Sequence, residues 1–136
     1  MTQVRANIAK EHYKVNIKTL SGNELIADEP VDNGGQNLGF SPHELLAASL
    51  AACTSATLRM YADRKGWDLA SLDVHIELVE PDAEGKTVFR RQLSMTGNLD
   101  EAQKQRLMAI ANKCPVHKIL TNPIEIITGD SEAENI

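Results

Sequence analysis

The stretch Ser41–Gly66, SPHELLAASLAACTSATLRMYADRKG, decides the fold. Ser41 offers a side-chain acceptor to the orphan amides of a helix start, and Pro42 suits the first helical position because its φ is already fixed near the helical value. Glu44 stands three residues after the cap, where its carboxylate can reach back and close a capping box. From Leu45 to Tyr61 the segment is apolar or small on nearly every face, the pattern of a helix enclosed by protein rather than one lying on a surface. Charge returns at Arg59, Asp63, Arg64 and Lys65, and Gly66 is the expected stop.

Outward from this helix the chain reads as strands in pairs. Upstream, HYKVNIKTL alternates Tyr13, Val15 and Ile17 against Lys14, Asn16 and Lys18, SGN turns it, and ELIAD returns as a hairpin partner. EPVDNGGQNLGFSP holds two prolines and three glycines without periodicity and is a loop. Downstream, LASLDVHIELVE and KTVFRRQLSMTG are strands joined by the turn PDAEG. NLDEAQKQRLMAIANKC is a second helix, capped by Asn98 or Asp100, and a short third helix starts at Pro115 and ends before Pro123. IEIIT is a closing strand, and GDSEAENI, about 129–136, is a polar tail left without structure.

Hairpin pairs favour an α+β fold with antiparallel sheets over a doubly wound parallel one. The length of 136 residues suits a single domain spanning 1–136. A helix apolar all round exposes more surface than one sheet can cover, so a second sheet or a second subunit is expected on its other side.

A formal charge of −5 and a pI near 5.3 argue against nucleic acid or an acidic membrane as partner. The N-terminus lacks the continuous apolar stretch of a signal peptide, and no segment is expected to approach the roughly 20 apolar residues of a membrane span. The expectation is a soluble cytoplasmic protein, in which two cysteines are free, metal-bound or redox-active rather than a permanent bridge.

Those cysteines differ. Cys53 lies in mid-helix among Ala51, Ala52, Thr54, Ser55 and Ala56, small neighbours that suit either access to the sulfur or a tight helix crossing. Cys114 precedes Pro115 and so falls at a helix N-cap, where orphan amides stabilise a thiolate and lower its pKa; a neutral thiol filling a turn is the alternative. His117 gives a Cys-x-x-His spacing that, with His43 and Cys53, would complete a metal-ligand set, although a place on or near the surface of the short helix is the simpler reading. Glu44 is explained by the capping box and His43 by a first-turn surface position. At about 1.5 Å per residue and about 100° per residue, Glu44 lies some 13 Å from Cys53 on the opposite face, and His43 some 15 Å away, so neither reaches that thiol from its own helix.

Together GGQNLGFSPHELLAASLAACTSATL, GNLDEAQKQRLMAIANKCPVHKIL and the final short strand resemble the OsmC/Ohr family of organic hydroperoxide-stress proteins, closest to its OsmC-like branch, from about Tyr13 to Thr128. The resemblance implies an intertwined homodimer whose antiparallel sheets surround a long buried central helix. It also implies a thiol-dependent peroxidase that needs no cofactor or metal, acts on organic hydroperoxides and is restored by an external dithiol. By resemblance Cys53 matches the peroxidatic cysteine and Cys114 the resolving one. The family's activating glutamate aligns with His43, beside Glu44, so Cys53, Cys114, Glu44 and His43 are the candidate catalytic residues. Its activating arginine has no counterpart near Tyr13, where Lys10 and Lys14 are the only nearby cations; Arg90 or Arg91 can substitute, since one of two adjacent strand residues faces inward. These departures favour, as the alternative, a redox-sensing or apolar-ligand-binding member of the same fold.

Overall fold

Alternating apolar and polar residues build two antiparallel sheets, and capped helices follow each of them. The computed structural model describes residues 1–130, so the last six positions of the expected polar tail lie outside the described residues. Within them the chain is α+β and divides into two compact units, Met1–Leu45 with the segment from Ile126 onward, and Leu46–Glu125.

In the first unit, β1 (Val4–Ile8), β2 (Val15–Thr19) and β3 (Glu24–Ala27) form a sheet in the order β1-β2-β3. The expected hairpin is β2 and β3, with Val15 opposite Ala27 and Lys18 opposite Glu24. Two corrections apply. Tyr13 precedes the strand rather than lying in it, and β1 adds a strand that pairs Ile8 with Val15 and Val4 with Thr19.

After β3 the loop is organised by one carboxylate. Asp28, 2% exposed, accepts from the amides of Tyr13 (3.1 Å) and Glu29 (2.8 Å) through Oδ1 and from those of Gln36 and Leu38 (both 3.1 Å) through Oδ2. Burial opposes its charge, and the bonds from Leu38, Tyr13, Glu29 and Gln36 more than offset that, holding it below the usual aspartate value. At Gly39 a Cβ would run into the Ile26 carbonyl, so the close return of the loop along β3 requires a glycine.

Helix α1 (Pro42–Lys65) starts as the sequence predicts. Ser41 N donates to Glu44 Oε1 (2.9 Å) and Glu44 N donates to Ser41 Oγ (3.1 Å), which closes the capping box. Gly66, with φ of +66°, ends it in the left-handed conformation. By length and composition alone α1 is long and apolar enough to cross a membrane, a test that the core helix of a folded domain passes as well. Its enclosure is narrower than expected. Only Leu50, Thr54, Leu58 and Ala62 are buried, a single stripe at i+4 spacing, and Leu46 and Met60 are 43% and 62% exposed.

In the second unit, β4 (Ser71–Val79) and β5 (Val88–Thr96) form the long hairpin, with Ile76 opposite Arg91 and Glu77 opposite Arg90. Asp82 Oδ1 accepts from the amides of Glu84 (2.9 Å) and Lys86 (3.2 Å) and shapes its turn. Along β5, Phe89, Arg91, Leu93 and Met95 face inward and the intervening residues face out. Helix α2 (Glu101–Ala111) is capped by Asp100, which takes the Gln103 amide at 2.8 Å. Leu58, Ala62, Leu69, Leu107, Ile110 and Ala111 form the core between α1 and α2. Leu58 is fully enclosed there, so truncation to alanine costs about 2–5 kcal/mol. Helix α3 (Pro115–Thr121) follows at once, with Cys114 as its N-cap.

The expected closing strand at IEIIT does not form. Ile126 and Ile127 are 85% and 84% exposed, and no neighbouring strand among the described residues offers a ladder to this segment. An alternating pattern permits a strand; only a partner edge makes one.

Candidate functional site

The two sulfurs meet at the start of α3. The backbone N–H of Val116 donates to Cys53 Sγ at 3.5 Å, and that of the next residue, His117, donates to Cys114 Sγ at 3.3 Å. Both thiols are free; Cys53 is half-buried and Cys114 is fully enclosed. The N-cap role of Cys114 inferred from Pro115 is therefore observed, with sulfur in place of the usual cap oxygen. Burial pushes the Cys114 thiol up, and the His117 amide, the neighbouring Cys53 thiol, the Thr54 hydroxyl and the Val116 amide together outweigh it, leaving the thiol below its ordinary value.

Arg91 is the inward-facing member of the Arg90–Arg91 pair. Its Nη1 donates to Thr54 Oγ1 (3.0 Å), and its Nη2 donates to Asn112 Oδ1 (3.0 Å) and His117 Nδ1 (3.1 Å). A guanidinium can only donate, so Nδ1 is the acceptor and the neutral imidazole carries its proton on Nε2. Burial, then the charge of Arg91, holds His117 below the usual histidine value. Thr54 Oγ1 sits 2.7 Å from the Leu50 carbonyl, which takes its proton, and 4.0 Å from Cys114 Sγ. Arg91 thus reaches Cys114 through Thr54 and through the residue whose amide caps that sulfur.

Arg91 and His117 also line a pocket of about 380 Å³ whose other walls are Leu46, Leu50, Thr87, Phe89, Leu120 and Thr121. A hollow of about 510 Å³ in the first unit, between Ile8, Tyr13, Val15, Asp28 and Glu29, contains no cysteine, and its Asp28 carboxylate is satisfied by backbone amides.

Of the sequence candidates, Cys53 and Cys114 come together and His43 and Glu44 do not join them. Glu44 is held by Ser41, whose amide and hydroxyl keep its carboxyl below the usual glutamate value, and His43 is an exposed first-turn residue. His117, expected on or near the surface of the short helix, is half-buried there with its ring turned to Arg91. The Cys-x-x-His spacing does not converge, since Cys114 Sγ takes the backbone amide of His117 while the ring turns to Arg91. Among the described residues no three His, Cys, Asp or Glu side chains gather as a metal set. Sequence reasoning missed Thr54 and Asn112; a hydroxyl beside Cys53 in an alanine-rich helix was a signal for the first, and nothing local marked the second.

The family model described as OsmC-like protein matches residues 34–129. An osmotic-stress-induced and detoxification-response protein of Psychrobacter arcticus has a similar structure, with a TM-score of 0.75 at 28% identity over 88% of each chain. An OsmC-like protein of Mycoplasma pneumoniae gives 0.69 at 20% identity over 88% of this chain and 86% of its own. The organic hydroperoxide resistance protein of Bacillus subtilis gives 0.62 at 21% identity, over 89% of this chain and 90% of its own. No curated protein matches the chain. With most of its length matched by the family model, and a fold shared with these structures, the chain belongs to the OsmC-like protein family.

Proposed function

We propose that the chain is a thiol-dependent peroxidase that reduces organic hydroperoxides, with Cys53 as the peroxidatic and Cys114 as the resolving thiol. The observation that carries this reading is the pairing of a half-exposed sulfur with an enclosed one on consecutive amides of one helical turn. A peroxide from solvent meets Cys53 first. The Cys53 thiolate attacks the distal peroxide oxygen, the O–O bond breaks, and the alkoxide takes a proton to leave as alcohol, with sulfenic acid on Cys53. The Cys114 sulfur then displaces hydroxide from that sulfenic acid, releasing water and forming the disulfide, and an external dithiol reduces it by exchange. The lowered pKa of Cys114 favours this second attack. Arg91 and Thr54 hold the α1, β5 and α3 contacts of the pair in place. The names of relatives such as the organic hydroperoxide resistance protein of Bacillus subtilis point the same way.

The homodimer belongs to the same proposal. Val4, Ile8, Leu25 and Phe40 in the first unit and Met60 on α1 stay 43–62% exposed in one chain, as surfaces awaiting a second copy do. His43 and Glu44 act on a thiol only if a second copy brings them to it. A single functional domain over 1–136 and a reducing cytoplasmic setting, which keeps the resting thiols free, complete the reading.

The test is a thiol count. One equivalent of cumene hydroperoxide added to the reduced chain removes both free thiols and yields one equivalent of cumyl alcohol; thiols that stay reduced, with the hydroperoxide unspent, remove the proposal. A ligand-binding member of the fold is the second reading, favoured by the mainly apolar pocket beside the pair.

A further inference from the structure

Arg91 is a permanent cation drawn partly out of water, and its partners Thr54, Asn112 and His117 Nδ1 are all neutral. Among the described residues the contacts between basic side chains and carboxylates are Lys18–Glu24, Arg59–Asp63 and His75–Glu77, so no carboxylate answers Arg91. The paired strand offers none on that face. Ile76 stands opposite Arg91, while Glu77 stands opposite Arg90 on the outward face and is engaged by His75. A desolvated charge without a counterion is unfavourable, and a guanidinium fork matches the two oxygens of a carboxylate. Three neutral acceptors leave part of the fork's donor capacity unused.

What borders this cation has a distinct character. Leu46, Leu50, Phe89 and Leu120 supply the apolar wall of the pocket, and His117 adds an uncharged Nε2–H donor. The volume of about 380 Å³ falls in the range of about 300–1,000 Å³ usual for small-molecule sites. One charge and an apolar body describe a monoanion with a hydrocarbon part better than a multiply charged phosphate.

We propose that this pocket binds an aliphatic or aromatic monocarboxylate, with the carboxylate on Arg91 and the His117 ring and the hydrocarbon against Leu46, Leu50, Phe89 and Leu120. The site involves neither sulfur, so it stands or falls separately from the peroxidase reading.

Isothermal titration of the reduced full chain with octanoate and with octanol tests it. Octanoate binds at least about tenfold more tightly than octanol, and raising the salt concentration narrows the gap. Arg91→Gln lowers octanoate affinity by about tenfold or more and leaves octanol unchanged, and Arg91→Lys restores only part of the loss. Should Arg91→Gln fail to fold, NMR shifts of the wild type decide: octanoate moves the His117 ring and the Phe89 and Leu120 signals. Equal affinity for octanoate and octanol, no binding of octanoate, or shifts confined to residues elsewhere would each overturn the proposal.

Discussion

Asp28 in the first unit and Arg91 in the second are both charged groups drawn in from the surface, and their partners differ in kind. Each carboxylate oxygen of Asp28 takes two backbone amides, so the charge is answered by the chain that surrounds it and serves to shape a loop. Arg91 is answered by a hydroxyl, an amide oxygen and a ring nitrogen, with no opposite charge, and it borders a pocket and the cysteine pair. A charge completed by backbone shapes the chain around it; one met only by neutral groups beside a hollow and two thiols is the one the proposals above draw on.

Substitutions at the two positions should therefore separate stability from function. Asp28→Asn places an N–H donor against amides that are themselves donors, and it lowers the melting temperature more than any of the changes below. Sign matters for its pH dependence. The folded-state pKa is depressed, so the carboxylate's contribution is present above the ordinary aspartate value of about 3.9 and is lost as the pH falls through the folded value. The gap in melting temperature between wild type and Asp28→Asn closes accordingly in acid; a gap that widens there would break the comparison.

Thr54→Val comes next. The hydroxyl is fully buried and accepts from Arg91, so an apolar replacement of the same shape leaves a guanidinium donor unanswered and costs about 1–3 kcal/mol, read from denaturant unfolding. It also slows disulfide formation after peroxide treatment, because the contact that holds Arg91 near the Cys114 side of the site is gone. Arg91→Gln has a smaller effect on stability, since the chain loses a charge for which it holds no counterion. A melting temperature lower than that of Asp28→Asn would place Arg91 on the architectural side instead.

The smallest effect belongs to Cys114. Its folded pKa is lowered, so its ionisation adds stability that is absent well below the folded value and fully present above the ordinary thiol value of about 8.5. The deficit of Cys114→Ser relative to wild type therefore grows between neutral and mildly alkaline pH, as thermal melts at matched ionic strength would show.

Local chemistry made much of this legible beforehand. The caps at Ser41 and Cys114 and the stop at Gly66 were readable because each depends on residues a turn apart. The narrow burial of α1 was not, because composition reports how apolar a helix is and not how much of its covering one chain supplies. β1 was overlooked although Val4, Ala6 and Ile8 alternate with Arg5 and Asn7, since an alanine in the apolar row weakens the contrast. IEIIT carries a better pattern and forms no strand, for want of an edge. At the site, the cysteines were found because there are only two, and strand alternation narrowed the arginine to Arg90 or Arg91. The bonds from Arg91 to Thr54 and His117 span 37 and 26 residues, distances over which no local rule operates.

The central claim is that Cys53 and Cys114 form one redox pair. Mass spectrometry of peptides from the chain treated with one equivalent of cumene hydroperoxide tests it most directly. The account predicts a single cross-linked species joining the Cys53 and Cys114 peptides, absent from Cys53→Ser and replaced by a Cys53 sulfenic or sulfinic acid in Cys114→Ser. Two unmodified thiols, or a wild-type chain oxidised at Cys53 with Cys114 still reduced, would contradict it.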